Sequence, residues 1–299
     1  LSGTVELLNY QLFMLTRAAS WIVQHWPLPR GQWRVISLFS KLFLSREESI
    51  APIGSLQFPF QPYQWNFFFG TYEPETKLLI NALVASGDVF LDVGANVGYF
   101  SAVAANAAGD HGRVIALEPE PVHYERLRRF AEINPSFNID VLQAAMSDQR
   151  GRISFYVCDH PGWHSLIAEF PQAPITKAIE VETWSLDELL KLRGLDHFGA
   201  VKMAKVDVEG AEHLVFRGAA EAVAQHWVQA FYVEVTPSSH SKEIFSTLLA
   251  AGYQSFRWDS NARTWRPHHS NEALSLQENI LWLSSRCPQL LTRIALGNG

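Results

Sequence analysis

Three groups of residues in this 299-residue chain have types and spacing that can do chemistry. The first is Asp92-Val93-Gly94-Ala95-Asn96-Val97-Gly98, in which an apolar run ends in an acid and two glycines frame a tight turn. A dinucleotide turn would read G-x-G-x-x-G, but Asn96 stands where the second glycine belongs and Tyr99 where the third does. An acid ahead of the turn repels a pyrophosphate, yet it can accept a hydrogen bond from an ammonium group. Spacing and charge therefore both weigh against a nicotinamide-dependent oxidoreductase. The second group is Glu118, which follows an apolar strand by one residue. An acid there can accept hydrogen bonds from both hydroxyls of a ribose; the plainer alternative is a solvated loop acid ahead of Pro119. The third is Lys205-Val206-Asp207-Val208-Glu209-Gly210-Ala211-Glu212. On a strand Lys205, Asp207 and Glu209 share one parity. A parallel strand is apolar on both faces, so charges at its carboxyl end are expected where something polar binds. Asp207 suits a general base acting on a hydroxyl, or else a structural acid that caps the next helix or pairs with Lys205. Glu234, at the end of the following strand, is a further candidate for the same crevice.

The elements needed to position these residues follow a strand and helix alternation. Strand 89–93 leads to a helix over 99–108, strand 113–117 to a helix over 122–133, and strand 139–142 to the small and apolar Ala144-Ala145-Met146, which could wall an adenine. Strand 200–208 leads to a helix ending near 225, and strand 228–235 to a helix over 241–251. Two last strands, 253–258 and 280–283, are joined by the polar segment 259–279. This is βαβ architecture with right-handed crossovers and a parallel sheet. Between 151 and 181 the rhythm breaks into two strands around an irregular loop, and such loops often carry function. His164 in it is an alternative base, and Trp163 could stack on a sugar face. Residues 1 to about 50 are helical in pattern, with Arg34 and Lys41 on an amphipathic second segment. A helical cover on the main domain, or on a twin subunit in a possible homodimer, is favoured there over an interfacial membrane helix.

Composition narrows the classes. Net charge is −6 and the pI about 6.0, so no global basic field invites nucleic acid. Two cysteines make no disulfide scaffold, and so few thiols suit a reducing, cytoplasmic setting. Cys158, His160 and His164 lie near one another without a zinc-binding pattern. A divalent ion held by Asp207 and other crevice acids is conceivable but not predicted, and His268-His269 reads as a solvated loop pair.

The glycine turn, Glu118-Pro119-Glu120 and Lys205–Glu212, together with Tyr72-Glu73-Pro74-Glu75, Val233-Glu234-Val235 and Glu278–Leu283, resemble the FkbM family of S-adenosylmethionine-dependent methyltransferases. The resemblance implies a Rossmann-like class I methyltransferase: an α/β fold with a mostly parallel seven-stranded sheet, its last strand antiparallel; the residue pattern adds a helical N-terminal extension. The resemblance runs from about 70 to 285, and the chain is read as an extension over 1–52, a methyltransferase domain over 53–290 and a C-terminal tail over 291–299. Asp92, Gly94, Asn96 and Gly98 would surround the methionine part of the cofactor, Glu118 would hold the ribose, and Glu73, Ala145 and Met146 would complete the cofactor set. Asp207 and Glu209 would lie by the transferred methyl. The expected acceptor is a hydroxyl of a sugar, glycan or natural product, and the cofactor product S-adenosylhomocysteine. A non-catalytic partner subunit that keeps the cofactor pocket is the rival reading.

Overall fold

The structure, a computed structural model, describes residues 49–61, 64, 66–67, 72–159, 164–168, 173–237, 240–268, 274 and 276–296. The expected helical extension before residue 49, His160, Trp163 and His269 lie outside the described residues. The chain divides into two compact units, Leu1–Lys77 and Leu78–Gly299.

In the first unit, β1 (Ser49–Ile53) and β2 (Leu56–Phe60) form an antiparallel hairpin turning at Gly54-Ser55. Phe58 is fully buried and meets Phe67 edge-on at 6.3 Å, and Phe67 meets Tyr72 at 4.9 Å. Helix α1 (Pro74–Leu83), whose residues from Leu78 on belong to the second unit, opens with proline in its first turn, where the missing N–H costs nothing.

The second unit is built on β3 (Val89–Val93), α2 (Tyr99–Ala108), β4 (Arg113–Leu117), α3 (Pro121–Glu132) and β5 (Ile139–Leu142). These are followed by β6 (Ala145–Met146), β7 (Gly151–Cys158), β8 (Ile175–Trp184), α4 (Leu186–Leu192), β9 (Val201–Val206), α5 (Glu212–Arg217) and α6 (Ala220–Ala224). Then come β10 (Val228–Val235), α7 (Ser241–Ala250), β11 (Tyr253–Asp259), β12 (Thr264–Pro267), β13 (Glu278–Ser284) and α8 (Gln289–Leu296). The main sheet runs β12-β11-β13-β10-β9-β3-β4-β5. Pairing is parallel from β10 through β5, and β13 is antiparallel to both of its neighbours.

The sheet therefore has the expected seven strands and an eighth. Trp265 of β12 packs on Trp258 at 5.2 Å, across a turn in which Asp259 accepts the amides of Asn261 and Ala262. Four residues carrying an arginine and a proline give too weak an alternation to announce a strand; an edge position tolerates both. A second difference concerns the residues after β5. Ala145 and Met146 leave the main sheet and join β8 and β7 in a three-stranded one, pairing in parallel with Thr183 and Trp184.

The strands bury because both faces are covered. α2 packs on β3 and β4, α3 on β5 and α7 on β11. Leu91, Ile115, Ala204, Phe231 and Trp282 are fully buried in the larger core, while a smaller one gathers Ala145, Phe155, Val157, Leu166, Val181 and Ala211. Leu290 and Ile294 of α8 are buried too. His268 is buried against Phe245 at 5.2 Å rather than solvated. Both cysteines are buried thiols. Among the described residues no helix is long and apolar enough to cross a membrane.

Candidate active site

The carboxyl ends of β3, β4, β9 and β10 converge, and the site is made of the residues at those ends. Gly94 and Gly98 hold φ of +81° and +88°, and Asn96 holds +51°, conformations that favour glycine and are tolerated by asparagine. The turn hangs on β4, because the amides of Gly94 and Ala95 both donate to the Leu117 carbonyl. Neither glycine is open to a ligand on the side where a Cβ would stand. At Gly94 that position is 1.8 Å from the Asp207 carbonyl oxygen, and at Gly98 it is 2.5 Å from Leu127 Cδ1. The glycines let the protein close on itself.

Asp92 is buried beside this turn. Its Oδ2 accepts from the Ser101 hydroxyl at 2.6 Å, whereas its Oδ1 is buried without a hydrogen-bond partner. Burial raises its pKa, and the nearby Lys205 charge and the Ser101 hydrogen bond partly oppose the rise. Glu118 is only 5% exposed. One of its oxygens accepts the Asn96 amide and the other the Glu120 amide, both at 2.8 Å. Burial outweighs these bonds and lifts the carboxyl to about 8. Each oxygen keeps lone-pair capacity for a further donor.

Lys205 sits opposite Asp92 in the β3–β9 register, is 3% exposed, and places Nζ 2.6 Å from Asp207 Oδ2. Asp207 is tied to the turn by its amide as well, which donates to the Val93 carbonyl at 3.0 Å. Asp207, Glu209 and Glu234 each offer a carboxylate oxygen, all within 4.8 Å of one another. Glu234 Oε2 is buried without a hydrogen-bond partner. Its carboxyl is held well above the usual carboxylate range, first by burial and then by the charges of Asp207 and Glu209. Three acids so close repel unless a proton or a cation relieves them. Lys205 supplies one cation; a divalent ion or a positively charged ligand would be another.

The remaining expected residues are Glu73, Ala145, Met146 and His164. Glu73 belongs to the first unit, where it has φ +38° and accepts from the Thr76 hydroxyl at the start of α1. Ala145 and Met146 are 5% and 1% exposed, their side chains taken up by the two apolar cores. His164 stacks on His123 at 5.3 Å, and its Nδ1 accepts the Cys158 amide at 3.2 Å with the Cys158 sulfur at 3.5 Å. Burial lowers the His123 pKa.

Sequence reasoning missed three contributors. Ser101 orients Asp92, and nothing in its spacing announces that. Glu212, quoted within the acidic motif but given no role, folds the segment by accepting the amides of Val208 and Gly210, and burial raises it to about 7. Ser165 donates to the Glu209 carbonyl at 2.6 Å across 44 positions.

A sequence model of the Methyltransferase FkbM domain matches residues 92–255, more than half of the chain. No curated protein matches at a significant level. Solved structures of similar fold include the FkbM methyltransferase of Methylobacillus flagellatus KT, 17% identical over 74% of this chain and 53% of that one, with a TM-score of 0.42. An S-adenosylmethionine-dependent O-methyltransferase of Thermotoga maritima is 13% identical over 71% and 65% of the two chains, TM-score 0.39. Fibrillarin of Aeropyrum pernix, solved with natively bound S-adenosyl-L-methionine, is 16% identical over 79% and 82%, TM-score 0.40. The chain spans about half the length of the Methylobacillus protein. The sequence match opens on Asp92 and runs through every strand end that brings the acids together, and the chain belongs to the FkbM family of S-adenosylmethionine-dependent methyltransferases.

Proposed function

We propose that this chain transfers a methyl group from S-adenosylmethionine to a hydroxyl of a small molecule or glycan. The observation that carries the reading is the group of Asp207, Glu209 and Glu234, three carboxylates within 4.8 Å beside a lysine already paired with one of them. Such a group favours a cation and offers a proton acceptor in the same place. When bound, S-adenosylmethionine supplies a methyl on a positively charged sulfur, so the protein has only to orient the reacting oxygen, exclude water and accept a proton.

The residues present fit that donor. Asp92 Oδ1, buried and unpartnered, is an acceptor for the ammonium of the methionine part, and Gly94, Asn96 and Gly98 shape the turn that carries it. Glu118 accepts from the ribose hydroxyls with the capacity left on its two oxygens. Ala145 and Met146 can give an adenine main-chain edges, since their side chains are packed away. Asp207 takes the acceptor's proton, with Lys205 fixing its carboxylate through the 2.6 Å contact. Glu209 and Glu234 add negative charge. His164 is the weaker base. Its Nδ1 lone pair already accepts the Cys158 amide, so a neutral ring carries its proton on Nε2 and presents a donor there. A net charge of −6 disfavours a phosphodiester acceptor.

Asp207→Asn tests the assignment. S-adenosylhomocysteine affinity should stay within about threefold, while methylated product, found by mass spectrometry as a gain of one CH2 across candidate glycosides and phenols, should fall by about 10²-fold or more. Undiminished product from Asp207→Asn would remove Asp207 as the base. Tight cofactor binding by the unmodified protein with no acceptor methylated would point instead to a non-catalytic partner subunit.

A further inference from the structure

Glu209 has a φ of +54°, a left-handed conformation that a residue with a long side chain keeps only when its surroundings impose it. The surroundings are specific. The peptide joining Glu209 to Gly210 is held at both polar ends: its carbonyl accepts the Ser165 hydroxyl at 2.6 Å, and its N–H donates to Glu212 Oε1 at 3.1 Å. Ser165 is fully buried and is itself fixed. Its amide and carbonyl both pair with Tyr156 of β7, at 3.1 and 2.8 Å, and its Oγ accepts the Ile167 amide at 3.0 Å. A buried hydroxyl that both donates and accepts, and whose backbone is also paired, has little freedom to move.

We propose that Ser165 is a positioning residue for the acid cluster: its hydroxyl holds the Glu209 carbonyl, and with it the direction in which the Glu209 carboxylate leaves the backbone toward Asp207 and Glu234. The role rests on the reading of that cluster as the place of methyl transfer. It also ties residues 165–167 to the turn that follows β9, so a ligand that shifts one shifts the other. Glu212 cannot substitute for the serine, because it restrains the N–H end of the peptide alone. Without the hydroxyl the carbonyl end can swing and Glu209 can relax out of the left-handed region, which separates its carboxylate from the other two.

Separation of like charges is readable without knowing the acceptor. Protein labelled with δ-13C glutamate is titrated by NMR, with Glu209→Gln and Glu234→Gln used to assign the two resonances. In Ser165→Ala the Glu234 midpoint should fall by about one pH unit, a tenfold change in its protonation equilibrium, because the Glu209 charge no longer opposes ionisation. Ser165→Thr, which keeps a hydroxyl, should restore the midpoint of the unmodified protein. S-adenosylhomocysteine affinity should change by less than about threefold in the Ser165 variants, since Asp92 and Glu118 are untouched. If Ser165→Ala fails to fold, Ser165→Cys replaces it, since a thiol keeps the shape and is a poor donor. A folded Ala or Cys variant with an unmoved Glu234 midpoint overturns the proposal, and so does a Thr variant that shifts as far as Ala. Failure of the underlying methyltransferase reading would look different: the unmodified protein would not bind S-adenosylhomocysteine, or would bind it and methylate no acceptor.

Discussion

Glu118 sits where the proposed ribose contact can be weighed in protons. Its carboxyl titrates at about 8, because burial outweighs the amide bonds from Asn96 and Glu120. At pH 6 ionising it costs about 2.7 kcal/mol, two pH units at about 1.4 kcal/mol each. Ribose hydroxyls that donate to both oxygens stabilise the ionised form alone. Cofactor binding should then expel the Glu118 proton at any pH below 8, and affinity should rise with pH. Working from the shift, the Kd for S-adenosylhomocysteine falls about tenfold per unit between pH 6 and pH 7, bends near pH 8 and levels off, about 100-fold in all.

Isothermal titration calorimetry in buffers of different ionisation enthalpy counts the proton directly: close to one released per ligand at pH 6.5, a small fraction of one at pH 8.5. Glu118→Gln should bind more weakly and lose the slope. A flat Kd in the unmodified protein would refute the reasoning, since the carboxyl would then stay protonated and act as a donor. A slope that survives in Glu118→Gln would assign the proton to another raised acid, of which Glu212 is the nearest in pKa. The same shift acts on folding with a defined sign. A carboxyl raised from 4.5 to about 8 contributes stability that is complete below pH 4.5 and lost as pH climbs through 8. The ligand-free protein should therefore weaken over that window, and less so in Glu118→Gln.

Two other substitutions separate roles that the geometry distinguishes. Gly94→Ala puts a Cβ 1.8 Å from the Asp207 carbonyl at φ +81°. Left-handed strain of about 1–2 kcal/mol adds to a forced backbone shift, so a loss of about 3 kcal/mol or more is expected in urea unfolding; near-native stability would show that the two strand ends are not packed as described. His164→Gln should leave product formation within about threefold and its pH profile unmoved, and a fall of about 100-fold would return the proton to the imidazole.

Much of the fold was legible because each strand of a doubly covered sheet is a short apolar run between helical segments, and the acids at the strand ends interrupt that pattern where a ligand binds. What was not legible depended on distance or on context. β12 is too short and too polar to be seen without Trp258 beside it. Ala145-Met146 continues β5 in sequence, and only its pairing with Thr183 and Trp184 shows that the chain has changed sheets. Nothing near His268 in sequence announces that it is buried, because its cover, Phe245, lies on a helix more than twenty positions earlier. Ser165 lies in an irregular segment and meets Glu209 44 positions later, beyond β8, α4 and β9, where no periodicity links the two.

The glycines carry the sharper lesson. Their spacing is what draws the eye to a ligand turn, and the obvious reason for a glycine there is close approach of a ligand to backbone. Here the approaching atom belongs to the protein: the space that a Gly94 side chain would need is filled by the Asp207 carbonyl, and the Asp207 amide returns a bond to Val93. The glycine turn and Asp207, the proposed base, are therefore held in contact by one missing Cβ and one hydrogen bond. That contact explains why Asp92-x-Gly94 and Lys205-x-Asp207 belong together in one sequence. Neither motif can reach its geometry alone, because β3 and β9 can end side by side only if the first offers no side chain at the point where the second passes. In the proposed reaction, the relative placement of donor and base, on which in-line transfer depends, is then set by strand packing rather than by loops.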